Sequence, residues 1–200
     1  MKQNGSPSTN KKLKIILASK SIARKALLEE SGFEVIVDPV DVDESYNNLD
    51  IKEIVTLLSQ KKLDHYLKYK KEINFPLLTA DTLVFCDDKI IGKSYSLKEA
   101  FEQIDFLKGK KHTVYSAFNL YLPHLNKFYS GLDSTDVTFK NLSKVEIENY
   151  LKTNQWQGAA ASYRVQGSAT SLIEKIEGQM ATVVGLPLHQ ISAIFSTLDF

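Results

Sequence analysis

Two serines and an arginine lie where an apolar segment passes into a helical one. Ser19 and Ser21 follow the apolar run 13–18, and Arg24 falls in the first turn of the helix predicted after it. Hydroxyls and free N–H groups at a helix start bind phosphate oxygens, and an anion there would relieve the conflict between Arg24 and the helix dipole. The same pattern also fits a serine N-cap beside solvated basic side chains. The turn carries no Gly-Lys-Ser/Thr sequence, so it is not a Walker A loop.

Carboxylates occur at two further places where chemistry is expected. Asp41, Asp43 and Glu44 follow an apolar, β-branched segment, and closely spaced carboxylates suit Mg²⁺ together with phosphate oxygens. A solvated acidic loop is the alternative reading. Asp81 lies inside the apolar run 77–85, where a carboxylate must be paired, hydrogen-bonded or metal-bound. We therefore favour Asp81 as a general base or metal ligand over a structural aspartate bonded to backbone N–H groups.

Basic residues supply the complementary charge. Lys93 follows a predicted hairpin and can reach the same cleft as Asp81, whereas Lys62 lies on a lysine-rich helix and by itself fits a solvated face. Among 25 basic residues only Arg24 and Arg164 are arginine. Both positions are therefore candidates for bidentate contacts with phosphate or carboxylate, which the planar guanidinium makes better than lysine. Genomic bias towards lysine is the alternative explanation.

Two other side chains that could take part in chemistry, those of His112 and Cys86, are expected to have structural roles. His112 is a lone histidine at a predicted strand start, and such residues are more often structural than catalytic. Cys86 is the only cysteine, so the chain cannot form an intramolecular disulfide, and a buried small hydrophobe is its expected role.

The elements that must position these residues follow from capping patterns and periodicity. Residues 154–169 are predicted to form a Gly/Ala/Ser-rich loop, and 172–176 fits either a helix or a strand. Strands are predicted over 13–19, 33–37, 76–85, 89–91, 113–122 and 127–139, and helices over 22–30, 50–70, 96–109, 143–153 and 188–198.

Strands with intervening helices and an antiparallel pair predict an α/β protein with a mixed sheet and flanking helices. No internal repeat or linker is found in the sequence. We therefore expect a flexible tail over 1–12 and one domain over 13–200, organised as two lobes that share a sheet.

Composition excludes several broad classes of function. The net charge of +1 gives no overall excess of positive charge, which argues against sequence-independent nucleic-acid binding. No run approaches 18 apolar residues, and the apolar run 13–18 is too short for a signal peptide core. The expectation is a cytoplasmic protein without a membrane partner.

Taken in chain order, these segments resemble the Maf-like nucleotide pyrophosphatase family, named for a septum-formation inhibitor. The resemblance runs from about residue 13 to 190, and its specificity comes from the order and spacing of the matching blocks rather than from any single block. The matching residues are Leu17-Ala-Ser-Lys-Ser21 with Arg24, Asp41-Val-Asp-Glu44, Lys62, Ala80-Asp-Thr-Leu-Val84, Gly92-Lys93, Leu107-Lys-Gly-Lys-Lys-His112, Val137-Thr-Phe139, Tyr163-Arg-Val-Gln-Gly167, Ile176-Glu-Gly178 and Val183-Val-Gly-Leu-Pro-Leu188.

The resemblance implies a nucleoside triphosphate pyrophosphatase with an elongated sheet and a cleft between two lobes. It implies that Asp81 accepts a proton from water and that Glu44 and Asp81 hold Mg²⁺, or Mn²⁺ in its place. A homodimer is implied by the family alone. By the same resemblance, Lys93 is catalytic and the triphosphate site is lined by Ser19, Ser21, Arg24, Lys62 and Lys93.

Base selectivity is implied at Ala23, Thr82 and Gln166. Thr82 and Gln166 resemble the family branch that acts on dTTP, UTP and related pyrimidine nucleotides, whereas Ala23 matches neither known branch. The small side chain of Ala23 should enlarge the base pocket, so we predict relaxed base selectivity.

The chain departs from the family pattern at three places. Most relatives carry Ser-Pro-Arg-Arg where this chain has Ser21-Ile-Ala-Arg24, and Lys93 precedes Ser94 instead of proline. Many carry Lys-Ala-Gly-Ala-Tyr where this chain has Ala159-Ala-Ala-Ser-Tyr163. Two alternatives to the pyrophosphatase therefore stay open at this point: a nucleotide-binding regulator of cell division with little turnover, and a hydrolase of another phosphate ester.

Overall fold

The computed structural model describes residues 12–46, 49–70 and 72–198. The predicted flexible tail lies outside the described residues except for Lys12. Seven strands are described: β1 Lys14–Leu17, β2 Glu34–Val37, β3 Leu77–Cys86, β4 Lys89–Ile91, β5 Lys111–Leu122, β6 Lys127–Phe139 and β7 Ile173–Glu177. The described α-helices are α1 Ile22–Glu30, α2 Ile51–Tyr69, α3 Leu97–Leu107, α4 Lys144–Leu151, α5 Met180–Val184 and α6 Leu188–Ser196.

All seven described strands belong to one mixed sheet: six follow the order β2-β1-β3-β5-β6-β7, and β4 pairs with β3 beside this path. The β2–β1–β3 pairs are parallel, and β3–β5, β5–β6 and β6–β7 are antiparallel. The mixed sheet with flanking helices confirms the predicted fold class. It also settles the segment that the sequence left ambiguous, because β7 covers 173–177.

One edge of β3 is divided between two partners, which leaves a gap in the sheet. Strand β1 pairs only with Leu77 and Leu78, and β4 pairs only from Val84 onward. The other edge of β3 is fully occupied by β5. The segment 79–83 therefore has an unpaired edge, and Asp81 lies at its centre.

Capping fixes where the helices begin. Asp50 accepts hydrogen bonds from the N–H groups of Lys52 and Glu53, and Ser143 and Glu146 form the second reciprocal capping box. These pairs confirm the starts predicted for α2 and α4, because the polar side chains satisfy N–H groups that have no partner within a helix. Helix α5 was not predicted.

Two large hydrophobic clusters lie towards the two ends of the sheet. One is built on the second half of β3, β4, α3, α4 and the loop after α4. The other joins β1, α1 and α6 to the first half of β3. Val184 packs against both clusters. This arrangement supports two lobes that share one sheet. No helix in the described part of the chain is long and apolar enough to cross a membrane.

Candidate active site

A cavity of about 540 Å³ lies over the gap in the sheet. It collects side chains from the turn after β1, the acidic loop after β2, α2, β3, the segment after β4 and the loop after α4. All ten residues assigned to the site from the sequence line it: Ser19, Ser21, Ala23, Arg24, Glu44, Lys62, Asp81, Thr82, Lys93 and Gln166.

Lys62 joins the two carboxylates that the resemblance assigns to the metal. Its Nζ donates a hydrogen bond to Oδ1 of Asp81 and lies 3.3 Å from Oε1 of Glu44. The side chain of Asp81 is 10% exposed and that of Lys62 12% exposed, whereas Glu44 is 55% exposed. The buried carboxylate thus has the ion-pair partner that its position requires, and Lys62 is not the solvated lysine that its helix alone suggests.

The loop that carries Glu44 is fixed by contacts on both sides of that residue. Asp43 accepts hydrogen bonds from the N–H and the hydroxyl of Ser45, which closes a tight turn around Glu44. Lys61 donates to the backbone carbonyls of Asp43 at 3.1 Å and Ser45 at 2.7 Å. Neighbouring lysines of α2 therefore hold the loop backbone and the Glu44 side chain.

The two serines of the first turn have hydroxyl protons available. Ser19 Oγ accepts from the N–H of Ser21 and from Arg24, and Ser21 Oγ accepts from the N–H of Arg24 as the N-cap of α1. Within the described part of the chain, neither hydroxyl donates a hydrogen bond. Both can therefore donate to an anion in the cavity, beside the N–H groups at the start of α1.

Arg24 fills the gap beside β3. Its guanidinium donates to Gly185 O, Ser19 Oγ, Ala80 O and Thr82 Oγ1 at 2.9–3.0 Å. Ala80 O lies on the strand edge that neither β1 nor β4 covers, so Arg24 satisfies a buried carbonyl that the sheet leaves unpaired. One of its five N–H groups remains for a ligand. Burial lowers the pKa of Arg24, and the charges of Asp81 and Glu44 oppose that effect.

Thr82 presents an acceptor to its surroundings. Thr182 O can only accept, so the Ser116 hydroxyl donates to it at 2.8 Å and must accept from Thr82, also at 2.8 Å. Thr82 Oγ1 in turn accepts from Arg24. A ligand that meets this oxygen would therefore need to be a donor.

Another part of the cavity wall comes from the loop after α4. Lys93 forms an isolated antiparallel bridge with Ala160, which joins the segment after β4 to this loop. Gln166 is exposed at the cavity wall. Arg164 also lines the cavity, and its Nη2 donates to Gln157 O at 2.7 Å.

Sequence reasoning missed part of the lining. Val183 and Val184 reach the cavity from α5, a five-residue helix that the sequence analysis left unassigned. The short apolar run between Gly178 and Gly185 was the available signal. The exposed Ile22 also lines the cavity, and nothing in its local sequence separates it from an ordinary surface residue.

His112 and Cys86 lie outside the cavity lining. His112 Nε2 is 2.8 Å from the Tyr163 hydroxyl, its Nδ1 has no partner among the described residues, and burial lowers its pKa to about 4. Cys86 is buried, and burial raises the pKa of its thiol. The structural role predicted for each residue agrees with these positions.

The carboxylates of the site fit a magnesium ion only if a ligand shares it. In the parts of the chain that are described, no group of three or more His, Cys, Asp or Glu side chains is arranged to hold a metal. Glu44 and Asp81 instead form a two-carboxylate set around Lys62. Mg²⁺ is typically bound by one or two carboxylates together with phosphate oxygens and water, so this donor set suits a metal that arrives with a phosphate ligand.

Comparison with known proteins identifies relatives over nearly the whole chain. The family model described as Maf-like protein matches residues 14–198. A dTTP/UTP pyrophosphatase of Rhizobium etli is 37% identical over 90% of this chain and 89% of that protein. A dTTP/UTP pyrophosphatase of Pyrococcus abyssi is 37% identical over 88% and 92%. The solved structure of the Staphylococcus aureus Ham1 protein aligns with a TM-score of 0.49 at 10% identity, covering 92% and 98%.

Proposed function

Because this chain belongs to the Maf-like protein family, we propose that it hydrolyses nucleoside triphosphates to the monophosphate and pyrophosphate. Relatives named dTTP/UTP pyrophosphatase in distant species, at 32–37% identity over most of the chain, support this activity. The substrates are dTTP, UTP and related pyrimidine nucleotides, and the role is removal of unwanted nucleotides from the pool.

The observation that carries the proposal is the pairing of Asp81 with Lys62 inside the cavity. Asp81 is buried at the centre of an unpaired strand edge, and one of its oxygens is held by Lys62. The ion pair gives the carboxylate a cationic partner and fixes its orientation. Its other oxygen accepts no hydrogen bond from the described residues, so it can accept a proton from water.

The reaction follows from this arrangement. Asp81 accepts a proton from a water molecule, whose oxygen forms a bond to the α-phosphorus. The bond between that phosphorus and the bridging oxygen breaks, and the electron pair leaves with pyrophosphate. Phosphoryl transfer of this kind depends on positioning and on charge neutralisation more than on covalent catalysis.

The remaining polar groups bind the phosphates. Ser19 and Ser21 donate their free hydroxyl protons, and the open N–H of Arg24 supplies a third donor. Lys93 neutralises the charge that develops on the leaving pyrophosphate. Lys62 orients Asp81 and balances its charge, so the buried site can accept a highly anionic ligand.

Glu44 and Asp81 would hold a divalent cation, Mg²⁺ or Mn²⁺, together with the phosphates. When bound, such an ion neutralises phosphate oxygens and stabilises the negative charge on the departing pyrophosphate. Lys61 and the Asp43–Ser45 turn keep Glu44 within reach of that position.

The side chains assigned to the base favour a pyrimidine with an N–H donor. Thr82 Oγ1 offers only an acceptor, which matches the N3–H of uracil and thymine and opposes the N3 acceptor of cytosine. Gln166 can supply either kind of group. Ala23 leaves room beside the base, so selectivity among uracil, thymine and modified bases is expected to be broad.

Release of pyrophosphate tests the proposal. The purified chain should release pyrophosphate and a monophosphate from UTP and dTTP with Mg²⁺, and a chelator should abolish the reaction. Asp81→Asn should lower turnover by about 10²–10⁴-fold, because it removes the proton acceptor while keeping the side-chain shape. Asp87→Asn, in an exposed turn, is the matched control.

Two results would contradict the proposal. If the unmodified chain and Asp81→Asn both release pyrophosphate at the background rate, the chain is not the proposed enzyme. If the product is orthophosphate, the chain is a hydrolase of another phosphate ester. A full panel of triphosphates in the same assay tests selectivity, and a sharp preference for one base would contradict the role given to Ala23.

The comparisons do not favour the alternative of a septum regulator with little turnover. The homodimer, the cytoplasmic location and the absence of nucleic-acid binding stay predictions.

A further inference from the structure

Ser94 and Ser162 meet in the interior beside the candidate site. Their hydroxyl oxygens are 2.7 Å apart, and Ser162 Oγ also lies 2.5 Å from Oε1 of Gln103 on α3. Ser94 is 4% exposed and Ser162 is fully buried. Neither serine lines the cavity, yet each is a near neighbour in sequence of a residue that does.

Ser162 connects the other two side chains. Its hydroxyl lies within donor distance of both Ser94 Oγ and Gln103 Oε1, and its single proton is shared between these two acceptors. Ser162 therefore links the segment after β4 to α3.

These contacts hold Lys93 from both sides. On one side, the N–H of Ala161 donates to Gly92 O at 2.9 Å, and Lys93 itself bridges with Ala160. On the other side, Ser94 is bonded to Ser162. The segment that carries the cavity lysine is thus fixed to the loop that carries Gln166.

The loop backbone at the same point is strained. Ala161 and Ser162 are consecutive non-glycine residues in the left-handed region, with φ of +52° and +59°. Such a conformation is retained only when surrounding contacts enforce it. The bonds from Ser162 to Ser94 and Gln103 and from Ala161 to Gly92 are contacts of that kind.

The contact between the two serines is long-range. Ser94 and Ser162 are 68 positions apart in the chain, yet they form one buried hydrogen bond.

We propose that Ser94 and Ser162 are positioning residues, which act with Gln103 to hold the Lys93 ammonium at the pyrophosphate end of the site. The inference rests on the proposed function for the role of Lys93. It assigns the effect of both serines to Lys93 and not to the general stability of the fold.

A double-mutant cycle tests this assignment. Ser162→Ala should lower kcat for pyrophosphate release from UTP about tenfold and should weaken the binding of inorganic pyrophosphate with Mg²⁺ by a similar factor. Lys93→Met should lower both further. In the Lys93→Met background Ser162→Ala should have no additional effect, because the lysine that it positions is absent. Ser94→Ala provides a second route if Ser162→Ala does not fold.

The control is Thr135→Val, which removes a buried hydroxyl that bonds the backbone of Gln179 outside the cavity. It should lower the melting temperature but leave kcat and pyrophosphate binding unchanged. Fluorescence of Trp156, the only tryptophan, verifies that each variant is folded, because it lies in the loop after α4.

Two results would overturn the inference: an effect of Ser162→Ala that persists in full without Lys93, or unchanged pyrophosphate binding in both serine variants. If the unmodified chain releases no pyrophosphate from any triphosphate, the proposed function fails. In that case the double-mutant cycle, measured by the binding of inorganic pyrophosphate, still tests whether the two serines act through Lys93.

Discussion

Arg24 shows why one of only two arginines is placed where it is. The sequence predicted a phosphate contact at this position, and the structure adds a second requirement, because the guanidinium satisfies the buried carbonyls of Ala80 and Gly185. Both carbonyls lie at the gap in the sheet. The guanidinium spreads five N–H donors over three nitrogens and reaches four separate acceptors, whereas a lysine ammonium has three donors on one nitrogen.

Arg24→Lys should therefore destabilise the protein in spite of the retained charge. Loss of at least two of the four hydrogen bonds leaves buried acceptors unpaired, and we expect a decrease of about 3 kcal/mol in the free energy of unfolding. Arg164→Lys is the matched control, because Arg164 has one side-chain contact described, to Gln157 O, and should lose less than about 1 kcal/mol. Urea denaturation of both variants checks this, and equal losses would contradict the role of Arg24.

The sequence predicted some site residues better than others, for physical reasons. A carboxylate in a buried strand is costly without a partner, so Asp81 could be recognised from its local sequence. Lys62 could be assigned only through the family resemblance, because a lysine on a lysine-rich helix carries no local signal. The contact between Ser94 and Ser162 depends on the path of a loop, and no pattern within either segment predicts it.

His112 should make stability depend on pH. Burial holds its pKa at about 4 in the folded state, below the value of about 6.5 expected in the unfolded chain. The unfolded state therefore binds more protons between these values, and stability should fall by about 2 kcal/mol from pH 6.5 to 4.5. Urea denaturation across this range measures the loss.

Two variants isolate the contribution of His112. His112→Phe should remove most of the slope, although it starts from a lower stability because Tyr163 loses its partner. The exposed His124, changed to glutamine, should keep the slope of the unmodified chain. A slope that survives His112→Phe would assign the pH dependence to other groups.

At the scale of elements, capping residues and turns were readable while short segments were not. The capping boxes at Asp50 and Ser143 identified two helix starts because their contacts join residues only three positions apart in sequence. The hairpin around Asp87 and Asp88 was also recognised. Helix α5 spans only five residues, too few for a periodic pattern, and its position depends on packing against β5 and β6.

The β3–β4 hairpin offers a stability prediction. Asp87 and Asp88 both have positive φ, +47° and +58°, as a type I′ turn requires. Glycine is preferred at the second of these positions, so Asp88→Gly should raise the free energy of unfolding by about 0.5 kcal/mol. Glu102→Gly, on the exposed face of α3, should lower it by about 1 kcal/mol. Thermal denaturation checks both, and a loss at Asp88 would contradict the turn assignment.

At the scale of the whole molecule, the near-zero net charge conceals a local concentration of charged side chains of both signs. Arg24, Lys62 and Lys93 converge on one cavity with Glu44 and Asp81, and that cavity lies between the two large hydrophobic clusters. Composition could predict only that no broad basic surface exists. The convergence depends on β1 and β4 sharing one edge of β3, which long-range pairing determines and local sequence does not.

The central claim is that water activated at Asp81 attacks the α-phosphorus of a nucleoside triphosphate. Hydrolysis of UTP in ¹⁸O-labelled water, followed by mass spectrometry of both products, tests it most directly. We predict one labelled oxygen in UMP, none in pyrophosphate, and little labelled product from Asp81→Asn. Label in pyrophosphate, or release of orthophosphate, would contradict this account.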